Sequence, residues 1–71
     1  MKVIVVGIGK TGLNLIEMLT KEGIDVTVID CSKEIIDSVT DKYNVSGVEG
    51  SGASRETLLK AGADTADMLI T

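Results

Sequence analysis

Gly7, Gly9 and Gly12 stand in the spacing GxGxxG directly behind the aliphatic run VIVV, residues 3–6, and Lys10 places a positive charge inside the same loop. Residues of these types at this spacing suit the holding of a phosphate. A glycine at position 7 permits a tight turn, one at position 9 lets backbone approach a pyrophosphate, and one at position 12 lets the following helix pack close to a sheet. The amides of the first helical turn, around Lys10, Thr11 and Gly12, have no partner within the helix and carry the positive end of its dipole, so they suit phosphate oxygens. The same spacing also serves as an ordinary strand-to-helix turn, and Lys10 can be a solvated lysine. The choice therefore depends on what the rest of the chain places beside the loop.

Two further groups belong to the same edge. Asp30 closes the apolar stretch DVTVID and lies eighteen positions beyond Gly12, the place where a carboxylate accepts hydrogen bonds from ribose hydroxyls. Its alternative role is capping the next turn, which Ser32 can already perform. A carboxylate here repels a 2′-phosphate and so favours NAD or an adenine nucleotide over NADP, an argument that Lys33 weakens. Cys31 follows and is expected as a small, semi-buried side chain beside the ligand. The stretch EGSGAS, residues 49–54, is the next crest, where Gly50, Ser51 and Gly52 leave room for a planar base or form a plain flexible loop. Together with Ile8 in the first loop, the candidate cofactor contacts are Gly7, Ile8, Gly9, Lys10, Thr11, Gly12, Asp30, Cys31, Gly50, Ser51 and Gly52.

Composition removes several other chemistries. The 71 residues include no histidine, proline, tryptophan or phenylalanine, and Tyr43 is the single aromatic. Without histidine the commonest general base and the commonest zinc ligand are both missing, and one cysteine neither replaces them nor forms an internal disulfide. Hydrolytic triads and metal sites are not expected. A formal net charge of −4 with scattered basic residues lacks the electropositive patch of a nucleic-acid binder. No apolar run approaches a membrane span, so the chain reads as cytosolic.

Positioning such residues requires alternating strands and helices. Residues 3–6 form a continuous apolar run suited to a strand buried on both faces. Leu13, Ile16 and Leu19 repeat at helical spacing, and Gly23 sits where that helix would stop. A strand follows over Asp25–Asp30, then a helix capped by Ser32, with Glu34 near its positive end and a stripe of Ile35 or Ile36, Val39 and Tyr43. A third strand is expected over residues 45–48. Next come a short helix capped by Ser54, carrying Leu58, Leu59 and Ala61 and stopped by Gly62, and a last strand over residues 68–70. The order β-α-β-α-β-α-β with right-handed crossovers gives a parallel sheet of order 3-2-1-4, a Rossmann-like α/β fold truncated after strand four. Residues 1–71 then form one partial dinucleotide-binding domain, whose open edge calls either for further strands of a longer polypeptide or for a second copy.

VIVVGIGKTG, VIDCSKE and GSGASRETLLKAGADTADMLI, in this order, resemble the amino-terminal nucleotide-binding domain of the Trk and Ktr potassium-uptake regulators, also called the RCK, KTN or TrkA-N domain. The likeness covers essentially the whole chain. Its most diagnostic portion is the third segment, where Gly50, Gly52, Leu58, Ala61, Gly62, Ala66 and Asp67 fall at the family's places. The family's phosphate loop matches Gly7, Gly9 and Gly12, with Lys10 where arginine is frequent, and its ribose-binding acid matches Asp30. Ser51 replaces an acid often found near the adenine, and Ala53 stands where threonine or serine is usual, so adenine recognition is less well matched than phosphate and ribose binding.

The resemblance implies a non-catalytic regulatory module. It would bind NAD(H), with ATP or ADP as the alternative, and pass the ligand state to a membrane potassium transporter or channel. Such domains assemble as dimers or larger rings, lie in the cytoplasm and meet the membrane through their partner. A competing reading of the same residues is the cofactor half of an NAD-dependent dehydrogenase whose catalytic domain lies outside this chain. The absence of histidine and the Ala-Gly and Ala-Asp pairs argue against it. A glycine loop with an acid after the second strand also suits S-adenosylmethionine, although Gly12 and Lys10 fit phosphates better.

Overall fold

The computed structural model describes residues 1–70, with the side chains of Lys10 and Thr11 outside that description. Seven elements alternate: β1 (Lys2–Val6), α1 (Lys10–Lys21), β2 (Asp25–Asp30), α2 (Lys33–Lys42), β3 (Ser46–Glu49), α3 (Arg55–Lys60) and β4 (Met68–Ile70). The four strands form one parallel sheet in the order β3-β2-β1-β4. This is the Rossmann-like α/β topology that the alternation implies, because consecutive parallel strands need a crossover helix and such crossovers are right-handed.

Strand alternation divides the core into two layers. Val3 and Val5 of β1 and Val26 and Val28 of β2 pack with Ile16 of α1 and with Ile36 and Val39 of α2. On the opposite face, Ile4 and Ile29 meet Ala61, with Val48, Leu58 and Ala66 packed around them. Hence α1 and α2 cover one face and α3 the other. Ile4, Ile16 and Ile29 are completely buried, and each such side chain contributes about 1.5–3 kcal/mol of transfer free energy.

Several expectations about the helices hold and others shift. Ser32 caps α2 by accepting from the Ile35 amide, and Ser54 caps α3 by accepting from the Thr57 amide. Gly23 and Gly62 follow α1 and α3 with φ of 75° and 87°. In α2 it is Ile36, not Ile35, that is buried. Leu13, expected on the buried stripe of α1, remains 38% exposed, and Leu59 of α3 is 50% exposed. The third strand lies one residue further on than residues 45–48, because its register with β2 begins at the Thr27 and Ser46 pair.

The outer strand β4 is anchored at its start by Asp67. The Asp67 carboxylate accepts from the Lys2 amide at 2.7 Å, and the Asp67 amide donates to the Lys2 carbonyl at 2.8 Å. Ala66 and Asp67 therefore act in strand pairing: the first packs under the sheet and the second fixes the register of β4 against β1. Met68 and Leu69 of this strand are each 47% exposed.

Candidate functional site

All three strand-to-helix loops open at the carboxyl edge of the sheet. The first is built around Gly7, whose φ of +82° makes the turn out of β1 in a conformation that side chains rarely adopt. Its amide donates to the Ile29 carbonyl at 2.9 Å, which continues the β1–β2 pairing into the turn. A Cβ on Gly12 would lie 3.2 Å from the Gly7 carbonyl oxygen, so the helix sits directly against the turn that precedes it. A Cβ on Gly9 would meet nothing within 4 Å. Space therefore lies in front of the loop at the residue where a ligand's approach matters most.

Gly9 is the N-cap of α1 and supplies no side-chain hydrogen bond to it, and no acid stands in its first turn. The opening amides of this twelve-residue helix thus lack the side-chain oxygen that α2 and α3 possess. An anion at this position would provide the missing acceptor and meet the positive end of the helix dipole. The glycine loop accordingly fits a phosphate group. The side chains of Lys10 and Thr11, named from the sequence as contacts, lie outside the described residues.

Asp30 ends β2 and faces the loop. One carboxylate oxygen accepts from the Ile8 amide at 3.0 Å, and the other accepts from the Ser32 amide at 2.9 Å. Its backbone carbonyl accepts from the Gly50 amide at 2.9 Å. The sequence assigned Asp30 to the ribose and set turn capping as the alternative; the fold gives the carboxylate a local turn bond and a long-range bond together. A carboxylate has about four lone-pair sites, so two bonds leave acceptor capacity unused. The Ile8 amide, however, is already committed to Asp30 and is not available to a ligand.

Gly7, Asp30, Cys31, Gly50 and Gly52 line a cleft of about 150 Å³ with Val6 and Ile29 at its floor. Gly52 is required there by proximity, since a Cβ would collide with Cγ1 of Val6, a stiff β-branched side chain. Cys31 is exposed rather than semi-buried. It lies one residue beyond the last paired position of β2, where no element covers it, and its Sγ donates to the Gly50 carbonyl at 3.4 Å. Ser51 does not line this cleft; its hydroxyl accepts from the Ala53 amide at 3.2 Å and shapes the loop.

A second cleft of about 420 Å³ opens between α1 and α2, with Ile8, Gly9 and Leu13 on one side and Ile35, Ser38 and Val39 on the other. These α2 residues were not foreseen as part of a site, because their helical spacing reads equally as core. Beside the small cleft, Asp30 and Glu49 are paired neighbours on β2 and β3. Lys33 does not turn toward them: its ammonium lies 2.9 Å from the Asp37 carboxylate. That hydrogen bond and the Asp37 charge raise the Lys33 pKa above its ordinary value, with a smaller contribution from Glu49. Among the described residues, no three His, Cys, Asp or Glu side chains are grouped to hold a metal ion.

A parallel sheet of order 3-2-1-4, a glycine turn feeding a bare helix start and a carboxylate at the end of the second strand define a Rossmann-type nucleotide-binding domain. Residues 3–71 match the TrkA-N domain family, and the chain belongs to it. Seventy residues, 99% of the chain, are 41% identical to the Trk system potassium uptake protein TrkA of Azorhizobium caulinodans. Proteins of the same description from Vibrio alginolyticus and Haemophilus influenzae are 37% and 34% identical over the same share of this chain. The chain spans 15% of the length of each of these relatives.

Proposed function

We propose that this domain is the nucleotide-sensing module of a potassium uptake system, binding NAD(H), or alternatively ATP or ADP, without catalysing a reaction on it. The observation that carries the reading is the bare first turn of α1, which has glycine at its cap and opens beside Asp30. Phosphate oxygens complete the acceptors of that turn, with Gly7, Gly9 and Gly12 giving the backbone its approach and Lys10 and Thr11 on the same turn. Ribose hydroxyls use the remaining lone pairs of Asp30. Cys31, Gly50 and Gly52 border the base, and Ser51 shapes the loop that carries them. The Lys33 ammonium lies against Asp37 and not toward Asp30, and the Asp30 charge itself opposes a 2′-phosphate, which supports NAD over NADP.

The potassium link rests on family membership and on the naming of relatives as Trk system potassium uptake proteins. In this reading residues 1–71 are part of a nucleotide-binding domain that lies in the cytoplasm, reaches the membrane through a potassium transporter or channel subunit, and works as a dimer or larger homo-oligomer. Among the described residues no helix is long and apolar enough to cross a membrane. Calorimetric titration of the protein with NADH, NAD, ATP, ADP and S-adenosylmethionine tests the ligand. Saturable binding of a dinucleotide or adenine nucleotide, weakened by Asp30→Ala, is the expected result. Binding of S-adenosylmethionine alone would reject it. Loss of potassium uptake on deleting the parent gene, restored by the intact gene, tests the transport role.

A further inference from the structure

The Asp30 carboxylate has more to do than a ribose contact requires. Three loops meet on this one residue. Its Oδ2 holds the Ile8 amide of the β1–α1 loop, twenty-two positions away in sequence. Its Oδ1 holds the Ser32 amide at the entry to α2, and its carbonyl oxygen holds the Gly50 amide at the β3–α3 loop. All three bonds form in the protein alone, with no ligand needed to explain them.

Ile8 lies between Gly7, which makes the turn, and Gly9, which caps α1. Its side chain is buried in the core shared by both covering helices. Fixing its amide therefore fixes the peptide plane from which the open face of the glycine loop departs. A loop of this composition has wide backbone freedom when nothing holds it, and ordering it on ligand binding would cost conformational entropy. A carboxylate pinning the centre of the loop removes much of that cost in advance.

We infer that Asp30 is a positioning residue for the phosphate loop, setting the shape of residues 7–9 before any nucleotide arrives. This rests on the phosphate-binding reading above and adds a role separable from ribose recognition. The two roles predict opposite signs for a ligand that has phosphates and no ribose. If Asp30 served ribose alone, removing its negative charge would leave the affinity for pyrophosphate unchanged or raise it, since a nearby carboxylate repels an anion. If it shapes the loop, the same removal lowers that affinity.

The test is titration of the protein, and of its Asp30→Ala and Asp30→Asn variants, with inorganic pyrophosphate, alongside amide hydrogen exchange on the ligand-free unaltered protein. The expected result is about tenfold weaker pyrophosphate binding for Asp30→Ala. Asp30→Asn should fall between, because an amide oxygen replaces one of the two acceptors. In the ligand-free protein the Ile8 and Ser32 amides should exchange far more slowly than the exposed amide of Gly9. Equal or tighter pyrophosphate binding by a folded Asp30→Ala would overturn the inference, and so would an Ile8 amide that exchanges as fast as Gly9, a measurement needing no variant. Failure of the unaltered protein to bind pyrophosphate at all would remove the phosphate site itself and this role with it.

Discussion

The starts of α1 and α2 face the same edge of the sheet and are built differently. Ser32 closes α2 through its hydroxyl, and Glu34 stands in the first turn. Gly9 closes α1 with no side chain at all, and the turn behind it carries no acid. A capped start has its acceptor within the protein, so an incoming anion must displace it. An uncapped start keeps its amides and its dipole for whatever arrives. The difference also divides the work of stability: α2 is held by its cap and by Ile36 and Val39, whereas α1 is held chiefly by packing, with Ile16 fully buried.

The comparison can be broken most strongly through Ile16. Ile16→Ala should cost about 2–5 kcal/mol, read from the denaturant midpoint, because it empties a fully buried site and α1 has no cap to retain it. Gly9→Ser tests the other half of the contrast. The new side chain enters open space, so the fold should be retained or gain a few tenths of a kcal/mol from the cap. If this turn holds the phosphate as proposed, nucleotide affinity measured by calorimetry should fall about tenfold as the hydroxyl takes one of its amides, equivalent to about 1.4 kcal/mol. Unchanged affinity in that variant would mean that the bare turn is not the binding element.

Ser32→Ala should do the reverse, lowering stability by about 1 kcal/mol while leaving affinity nearly intact, because the bond to Asp30 comes from the Ser32 backbone and survives. The smallest effect concerns Lys33. Its raised pKa means that the Asp37 pairing favours the folded state while the lysine is charged, below its unfolded value of about 10.5. That contribution disappears as pH rises through the folded value. Asp37→Asn should lower the Lys33 titration midpoint seen by NMR and remove this alkaline dependence, with little change at neutral pH, as expected of an exposed pair.

The strand order and both serine caps were legible in the sequence, since each follows from local pattern: two-sided apolar runs, helical stripes and a hydroxyl one step before a helix. The glycine loop and the position of Asp30 were legible for the same reason. What Asp30 binds was legible only by half. Its bond to the Ser32 amide is a turn between residues two apart, which an aspartate side chain commonly makes with the backbone. Its bond to Ile8 depends on β1 and β2 pairing in register up to Val6 and Ile29, and no short window of sequence contains that. Cys31 was placed too deep because a lone cysteine reads as a small apolar side chain, although the ladder ends one residue earlier, at Asp30. The cleft between α1 and α2 was hidden because Leu13 and Ile35, 38% and 37% exposed, have the same spacing as core residues.

Tyr43, the only aromatic residue, stands at the far end of α2 from Ser32, partly packed on the shared core with the Lys42 ammonium 5.5 Å from its ring centre. Ten residues of helix carry about 15 Å of rise, so one rigid rod joins the Asp30 edge to the opposite end of the sheet. With no tryptophan in the chain, ultraviolet emission comes from this single phenol. A change in that emission when ligand binds at the glycine loop would report the tilt of α2, giving an unlabelled optical readout of mechanical transmission across the domain.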